Sequence, residues 1–355
     1  MVEPGVGLVR RPTPGPVPNA WAGPAIAGVG GHAGRASAGE GRRANAPRGG
    51  EWRAGDRPAH SGRVLAVESP AALASALART GYLADAGLAT AGFLALRLGK
   101  PVFLEGEAGV GKTSFATALA QAAGLELIRL QCYEGLDASQ AIYDWDFARQ
   151  VLHLRTLEAA GAGLDPEAVE ADLYDRRFLL ARPLLRALER APCVLLVDEV
   201  DRADDEFEAY LLEILADAAV TIPELGRIAA QHPPVVVITS NRTRDVHDAL
   251  KRRCLYHWVE HPDREREAAI VRLRLPEVSG RLAEQVAGAT GRLRGLDLVK
   301  PPGVAEAVDW AAAVRALGGD ELTADTAAAT LGAVLKVRED LDRVRALPPT
   351  ELLGA

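Results

Sequence analysis

The ten residues from Glu105 to Ser114, EGEAGVGKTS, decide the fold of this 355-residue chain. Within them, residues 106–113 fit the pattern G-x-x-x-x-G-K-T, in which glycines let backbone N–H groups curl around a phosphate at the start of a helix. The apolar run 101–104 precedes this loop, and the Ala- and Leu-rich stretch 115–123 follows it. Strand, loop and helix in this order are the context that a phosphate-binding loop requires.

The loop therefore predicts a nucleotide cradle. Lys112 is expected to reach the β- and γ-phosphates, and Thr113 is expected to offer its hydroxyl to Mg²⁺. The predicted nucleotide-binding residues of the loop are Gly106, Glu107, Ala108, Gly109, Val110, Gly111, Lys112, Thr113 and Ser114.

A second element, VLLVDEVD at residues 194–201, places two acids directly after four apolar strand residues. Ligands of parallel sheets bind at the carboxyl ends of the strands, where these acids would lie. Asp198 is expected to hold Mg²⁺ through water, and Glu199 is expected to polarise the attacking water as a general base. The second carboxylate indicates hydrolysis of the nucleotide, because passive binding has no need of a base there.

A third strand, VVVITSN at residues 235–241, ends in Asn241. Its side-chain amide can donate a hydrogen bond to the γ-phosphate or orient the water. Asparagine after a strand is also a common turn residue, and it is the two preceding motifs that favour a catalytic role.

A basic cluster, LKRRC at residues 250–254, precedes the last apolar run. Such a cluster can be a solvated helix C-terminus, which the helix dipole favours. The catalytic alternative is that Arg253 is an arginine finger that enters the site of a neighbouring subunit.

The remaining pattern predicts an α/β fold. Apolar runs at 125–130, 193–197, 235–239 and 256–259 alternate with helical patterns, which indicates a parallel sheet sandwiched by helices. After about residue 262 no strand signal recurs, so a separate small all-α bundle is expected, and the resemblance given below implies that this bundle is a lid domain. The predicted domains are a Gly/Pro/Arg-rich tail at 1–65, a nucleotide-binding domain at 66–262, the lid at 263–345 and a short tail at 346–355.

Composition narrows the function classes. The first 60 residues hold 13 Gly and 8 Pro, which predicts disorder, and a start at Val64 or Val67 is an alternative. The net charge of −7 gives no electrostatic reason to bind nucleic acid. The apolar runs are too short for a membrane span. The three scattered cysteines indicate a reducing cytoplasm rather than disulfides.

With these elements in order, the chain resembles the AAA+ ATPases, with GEAGVGKT as Walker A, VLLVDEVD as Walker B, Asn241 as sensor 1 and Arg253 as arginine finger. More narrowly, it resembles the MoxR-like ATPases found beside aerobic carbon-monoxide dehydrogenase and related molybdenum hydroxylases. The stretches behind the narrower resemblance are RLQCYEGLD (129–137), YDRRFLLARPLLRAL (174–188), VDEVDRADDEFEAYLLEIL (197–215), SNRTRDVHDALKRRCLYHW (240–258) and KPPGVAEAVDWAAAV (300–314).

The resemblance implies an ATP-hydrolysing remodelling factor with ATP and Mg²⁺ as cofactors. It also implies a hexameric ring of the chain itself, a partner with a von Willebrand factor A domain, and a metalloenzyme client. Two alternatives stay open: a nucleotide-driven motor or switch on nucleic acid, and a nucleotide-gated scaffold without significant turnover.

Three features modify this expectation. The lid of this branch commonly begins with an arginine that senses the γ-phosphate, but Gly303 stands at that position, and Lys300, Arg292 or Arg294 are the candidate replacements. Residues 219–234 predict a hairpin that faces a substrate or the ring pore, with a plain surface hairpin as the alternative. Residues 132–136 follow the second strand, where such ATPases often place residues that face the ring pore.

Overall fold

The computed structural model describes residues 67–159 and 165–354. The predicted tail at 1–65 lies outside the described residues. The stretch 346–355, predicted to be a tail, contains a short helix, because Leu352 is buried among the apolar side chains of the last helices.

The described strands are β1 (Val102–Glu105), β2 (Leu127–Gln131), β3 (Tyr143–Trp145), β4 (Leu179–Ala181), β5 (Val194–Asp198), β6 (Ala219–Ile222), β7 (Gly226–Ala229), β8 (Val235–Ser240) and β9 (Leu255–Trp258). The described α-helices of the first part of the chain are α1 (Pro70–Arg79), α2 (Ala86–Leu98), α3 (Lys112–Ala123), α4 (Ala138–Ala141), α5 (Phe147–Ala159), α6 (Pro166–Leu173), α7 (Pro183–Arg190), α8 (Asp205–Asp217) and α9 (Asp248–Arg253). The last part holds α10 (Arg264–Arg274), α11 (Gly280–Arg294), α12 (Val304–Ala316), α13 (Ala324–Val334), α14 (Arg338–Arg345) and α15 (Pro349–Leu353).

Five strands form a parallel sheet in the order β2-β5-β8-β1-β9. The prediction of a parallel sheet flanked by helices is therefore confirmed. Because all five strands run the same way, their carboxyl ends share one edge. This edge brings together Asp198 at the end of β5, the loop after β1 and Asn241 after β8. In the pairing of β2 with β5, Gln131 lies opposite Asp198.

Separate apolar clusters cover the two faces of the sheet, because successive strand residues point to opposite sides. Leu104, Leu196 and Val237 pack on one face with Phe115 of α3 and Leu88 of α2. On the opposite face, Phe103, Leu195 and Ile238 belong to a cluster that includes residues of α7 and α8.

The two N-terminal helices begin at side-chain caps. The Ser69 hydroxyl accepts the amide of Ala72 at 3.1 Å and caps α1, and the Asp85 carboxylate accepts the amide of Leu88 at 2.7 Å and caps α2. Gly99 ends α2 in the left-handed conformation, which glycine adopts without steric cost.

A second small sheet was not predicted. Strands β3 and β4 pair antiparallel, and α5 and α6 lie between them in the chain. Each strand has three residues, too few for an alternating pattern to be detected. The predicted hairpin at 219–234 is confirmed, since β6 and β7 pair antiparallel.

The C-terminal helices surround an apolar cluster of their own, centred on the fully buried Trp310. The Trp310 Nε1 donates to the Thr330 hydroxyl at 2.8 Å, so the buried indole N–H is satisfied. As predicted, no strand occurs between residue 262 and residue 354. Within the described residues, no helix is long and apolar enough to cross a membrane.

Candidate functional site

A cleft of about 540 Å³ lies between the loop after β1 and helices α10 and α12. It brings together most of the sequence-predicted site residues. Its lining residues are Gly81, Tyr82, Leu83, residues 108–114, Asp198, Glu199, Thr239, Asn241, Pro262, Arg266, Ile270, Arg274, Val304, Ala305, Val308 and Asp309. The volume is in the range of ordinary small-molecule and cofactor pockets.

The loop requires glycine at two positions for reasons of space as well as conformation. Gly106 and Gly109 have φ of 158° and 80°, which L side chains rarely adopt. A Cβ on Gly106 would lie 2.3 Å from the carbonyl oxygen of Val259, and a Cβ on Gly109 would lie 2.9 Å from the Cα of Gly303. The loop is therefore packed tightly against the chain after β9 and against the start of α12.

Lys112 is folded back under the loop. Its Nζ donates to the carbonyl oxygens of Gly106 and Glu107 at 2.7 and 2.6 Å. Gly106 and Glu107 do not line the cleft themselves. Burial lowers the pKa of Lys112 to about 8, although the nearby carboxylates, Asp201 first, oppose this shift. Phosphate oxygens are better acceptors for an ammonium than carbonyls are, so a bound phosphate would draw Nζ outward.

Asp198 ends β5 with its side chain almost fully buried, at 2% exposure. Its Oδ1 accepts the hydroxyls of Thr113 at 2.9 Å and of Thr239 at 2.5 Å. A carboxylate beside a threonine hydroxyl supplies the hard oxygen donors that Mg²⁺ prefers, so this pair fits the predicted metal. Among the described residues, no cluster of three or more His, Cys, Asp and Glu side chains provides another metal site.

Glu199 follows Asp198 in the left-handed conformation, with φ of 56° and ψ of 51°. Its amide donates to the Thr239 hydroxyl at 2.9 Å. Its Oε1 accepts the Asn241 Nδ2 at 3.2 Å, and its Oε2 accepts the Gln131 Nε2 at 3.0 Å. A non-glycine residue in this conformation costs free energy, and such strain collects at functional sites. The Arg202 Nε also lies 3.1 Å from Oε2, so the backbone conformation and the contacts of Asn241, Gln131 and Arg202 together aim this carboxylate.

Asp201 holds the segment that carries Asn241. Its carboxylate accepts the backbone amides of Asn241 and Thr243 at 3.1 and 2.8 Å, and the Thr243 hydroxyl at 2.7 Å. Burial alone would raise the pKa of Asp201, but these hydrogen bonds outweigh it and keep the pKa below its ordinary value. Sequence reasoning assigned no role to Asp201, although its position three residues after Asp198 on the same motif was a usable signal.

Arg253 does not line the cleft of its own chain. Of the three cations of the cluster, Lys251 contacts the buried Glu105 at 3.4 Å, and Arg252 contacts Asp248 on the same helix at 3.9 Å. The Arg253 guanidinium is exposed, and no hydrogen bond or ion pair is assigned to it among the described contacts. It is thus available to another molecule.

On the lid side of the cleft, the backbone at the start of α12 contacts the backbone of the loop after β1. The amide of Val304 donates to the carbonyl of Gly109 at 3.0 Å, and a Cβ on Gly303 would lie 2.7 Å from the Cα of Gly109. An arginine at position 303 would therefore displace α12 from the loop. This contact is a physical reason for glycine at the position where the resemblance implies a sensing arginine.

None of the three candidate replacements for that arginine lines the cleft. The amide of Lys300 donates to Asp340, and the lysine side chain is exposed. Arg292 donates to the carbonyl of Leu352, and Arg294 is engaged by Glu267 at 2.5 Å. The arginines that do line the cleft from the lid are Arg266 and Arg274 of α10, which the sequence analysis missed.

The connection between α1 and α2 forms a further wall of the cleft. Arg266 donates to the carbonyl oxygen of Leu83 through Nε at 3.1 Å and through a terminal nitrogen at 2.8 Å, and it also contacts Asp85 at 3.4 Å. This arginine ties the first lid helix to the connection. Tyr82, which packs edge-on against Phe115, fixes the same segment to α3.

The segment at 132–136 is only partly exposed. Cys132 and Leu136 are buried, whereas Tyr133 is 45% exposed. Burial raises the pKa of the Cys132 thiol to about 12, so this thiol is not reactive. Within this segment, the exposed side chains are those of Tyr133 and Glu134.

Comparison with known proteins supports the fold. Residues 101–254 match the family profile of the AAA domain, dynein-related subfamily. Residues 101–254 therefore carry an AAA domain, and the sheet with its loop is an AAA+ P-loop NTPase fold followed by a helical region. No curated protein matches the chain.

Solved structures with partial overlap include Thermotoga maritima RuvB, described as a Holliday junction branch migration motor. It shares 17% identity over 75% of this chain and 71% of its own, with a TM-score of 0.41. A point mutant of the same protein shares 16% identity over 77% of this chain and 72% of its own, with a TM-score of 0.42.

Proposed function

We propose that the protein is an ATPase that uses the cleft to cleave the bond between the β- and γ-phosphates, and that this hydrolysis drives remodelling of a protein partner. The observation that carries the proposal is the arrangement of Glu199. This carboxylate lines the cleft beside Asp198 and is aimed by Asn241 and Gln131. A general base placed next to a phosphate loop is the minimum that hydrolysis requires.

Each group of residues in the cleft would have a separate role in hydrolysis. Loop amides and Lys112 would bind the phosphates, and Thr113 with Asp198 would hold Mg²⁺, which neutralises charge on the phosphates when bound. Glu199 would take a proton from the attacking water, and Asn241 would orient the water or donate to the γ-phosphate. The products are ADP and inorganic phosphate.

The position of Arg253 is the reason to propose a ring assembly. The exposed guanidinium lies outside its own cleft, so it would stabilise the transition state only in a neighbour's site. A ring, with six subunits as the resemblance implies, would give every cleft such a neighbour. This part of the proposal rests on the LKRRC motif and on the position of Arg253.

The partners of the ring come from the resemblance to MoxR-like ATPases. We propose a protein with a von Willebrand factor A domain and a metalloenzyme client, such as a molybdenum hydroxylase. An apolar strip on α5 gives a physical reason to expect a protein partner: Phe147, Val151 and Leu152 are 65%, 56% and 66% exposed. Contiguous exposed apolar side chains are typical of interaction surfaces.

Mixing two inactive variants tests the proposal. Glu199→Gln removes the base and Arg253→Ala removes the finger, so each variant alone should lose ATP turnover. In random mixed rings, about one interface in four pairs an intact Glu199 with an intact Arg253, and activity should reappear to about that extent. Full activity of Arg253→Ala alone, or no recovery on mixing, would contradict the composite site.

The remodelling role has its own test. Glu199→Gln should retain ATP and, in that state, capture the protein with the von Willebrand factor A domain. Capture that is equal with ATP, with ADP and without nucleotide would instead support a scaffold. Turnover that is stimulated by DNA would support a motor on nucleic acid.

A further inference from the structure

The side chain of Arg129 on β2 contacts the carboxylate that would hold the metal. Its terminal nitrogen lies 2.5 Å from the Asp198 Oδ2, and the same nitrogen donates to the Gln131 Oε1 at 2.5 Å. Arg129 and Gln131 are two residues apart on one strand, so their side chains share a face. In the register of β2 and β5, Gln131 lies opposite Asp198, and Arg129 lies one pair earlier on that face.

The Arg129 guanidinium supplies a counter-charge to the Asp198 carboxylate. A carboxylate as buried as Asp198 is costly unless a cation or hydrogen bonds compensate for the loss of water. Lys112 makes no ion pair with Asp198, because its ammonium donates to the carbonyls of Gly106 and Glu107, although the two charges attract each other at longer range. Among the ion pairs of residues 67–159 and 165–354, the pair with Arg129 is the one that involves Asp198.

The two ends of this pair differ in exposure. The Arg129 side chain is 52% exposed, whereas that of Asp198 is 2% exposed. The carboxylate is thus fixed by the Thr113 and Thr239 hydroxyls on Oδ1, while the guanidinium can leave Oδ2 for solvent. A half-exposed arginine loses little when it is released to solvent, because water already screens its charge.

We propose that Arg129 is a placeholder cation: it neutralises Asp198 in the nucleotide-free protein and gives up this carboxylate when Mg²⁺ arrives with the nucleotide. The proposal rests on the proposed function, because it takes Asp198 as the metal-binding carboxylate. Two cations that need the same oxygen compete, so Arg129 lowers the affinity for Mg²⁺. The site then closes around the metal and nucleotide together rather than around a free metal ion.

The test measures the affinity for ADP by calorimetry, once in EDTA and once in MgCl₂, and takes the ratio of the two as the effect of Mg²⁺. In Arg129→Gln this ratio should rise by about fivefold over wild type, because the competing cation is gone. Arg129→Lys keeps a cation and should show a smaller rise. Arg186→Gln is the matched control, since Arg186 pairs with Glu126 just before β2, is 54% exposed, and does not line the cleft.

The outcomes separate this inference from the proposed function. A ratio that is unchanged or lower in both Arg129 variants would overturn the competition, even though ADP still binds. A rise of the same size in Arg186→Gln would also overturn it. Absence of ADP binding in wild type, with and without Mg²⁺, would contradict the proposed function itself.

Discussion

The two ends of the cleft are built in different ways. At the phosphate end, side chains from the carboxyl ends of the strands contact one another directly, as in the pairs of Thr113 with Asp198 and of Asn241 with Glu199. At the lid end, the main contact is between backbones, where Val304 donates to Gly109. Short sequence motifs determine the geometry of the phosphate end. A close approach between segments that are distant in the chain determines the geometry of the lid end. Chemistry and closure of this site are therefore separable by mutation.

The largest effect is expected at the phosphate end, from Asp201→Ala. The substitution removes the acceptor of the Asn241 and Thr243 amides and of the Thr243 hydroxyl. Loss of a buried, charged acceptor should lower the free energy of unfolding by about 3 kcal/mol. Because Asn241 loses its support, ATP turnover should fall further than ADP affinity. Chemical denaturation and steady-state kinetics measure both.

Asp204→Ala is the matched control for that variant. Asp204 belongs to the same acidic stretch, but it is exposed and its side chain makes no capping hydrogen bond to α8. Its replacement should change the free energy of unfolding by about 0.5 kcal/mol or less. Equal effects of the two substitutions would show that Asp201 has no special role in holding the Asn241 segment.

The next effect is expected at the lid end, from Gly303→Val. A Cβ at this position meets the backbone of Gly109 at 2.7 Å, so α12 must move away from the loop. Overpacking of this kind costs about 2 kcal/mol of free energy when α12 packs on the loop. Because nucleotide binding should require that packed position, the same cost would lower nucleotide affinity roughly thirtyfold. A fluorescent ADP analogue would report the change.

Gly332→Ala is the control for the lid. Gly332 lies inside α13, and a Cβ there meets nothing within 4 Å. Nucleotide affinity should stay at the wild-type value, and the free energy of unfolding should rise by roughly 0.5–1 kcal/mol, as for alanine in place of glycine inside a helix. If Gly303→Val binds nucleotide as tightly as wild type, the lid does not rest on the loop when nucleotide binds.

The smallest effect is expected from Asp85, at the end of the connection between α1 and α2, and this effect depends on pH. His257, whose Nε2 lies 3.7 Å from the Asp85 Oδ1, together with the cap to Leu88 and the charge of Arg266, holds the pKa of Asp85 below its ordinary value, although burial opposes them. A depressed pKa adds stability that is present above the unfolded pKa near 4 and is lost as pH falls through the lower folded pKa. Asp85→Asn should therefore cost about 1 kcal/mol at pH 7 and progressively less as the pH falls below about 4.

Thermal unfolding of both proteins from pH 2 to pH 7 would measure this difference. Asp263→Asn is the control, since Asp263 caps α10 through the Arg266 amide and has no ion pair among the described contacts. A stability difference for Asp85→Asn that does not change with pH would contradict the assignment.

The fold and the phosphate end were predictable because their signals are local. The glycines and Lys112 lie within one loop, and Asp198 and Asn241 each end an apolar run, so the parallel sheet alone brings them together. The orientation of Glu199 was not predictable in the same way. It depends on Gln131, 68 positions earlier in the chain, and on a backbone conformation that no residue pattern announces.

The lid end was less predictable because its contacts join distant residues. Sequence alone showed only that Gly303 replaces an expected arginine, and the reason is a close approach to Gly109. Likewise, Arg274 and Arg266 occur in a helix with many charges, where a solvated face is the ordinary interpretation. No motif marks Arg129, whose contact with Asp198 depends on the pairing of β2 with β5.

The central claim is that the cleft hydrolyses ATP with Glu199 as the base. The most direct test is phosphate release from ATP and Mg²⁺ by wild type and by Glu199→Gln, together with the ATP affinity of each. The account predicts that the variant loses at least about 100-fold in turnover, as expected for a missing general base, and keeps its affinity within a few-fold. A variant that releases phosphate at the wild-type rate would contradict the account.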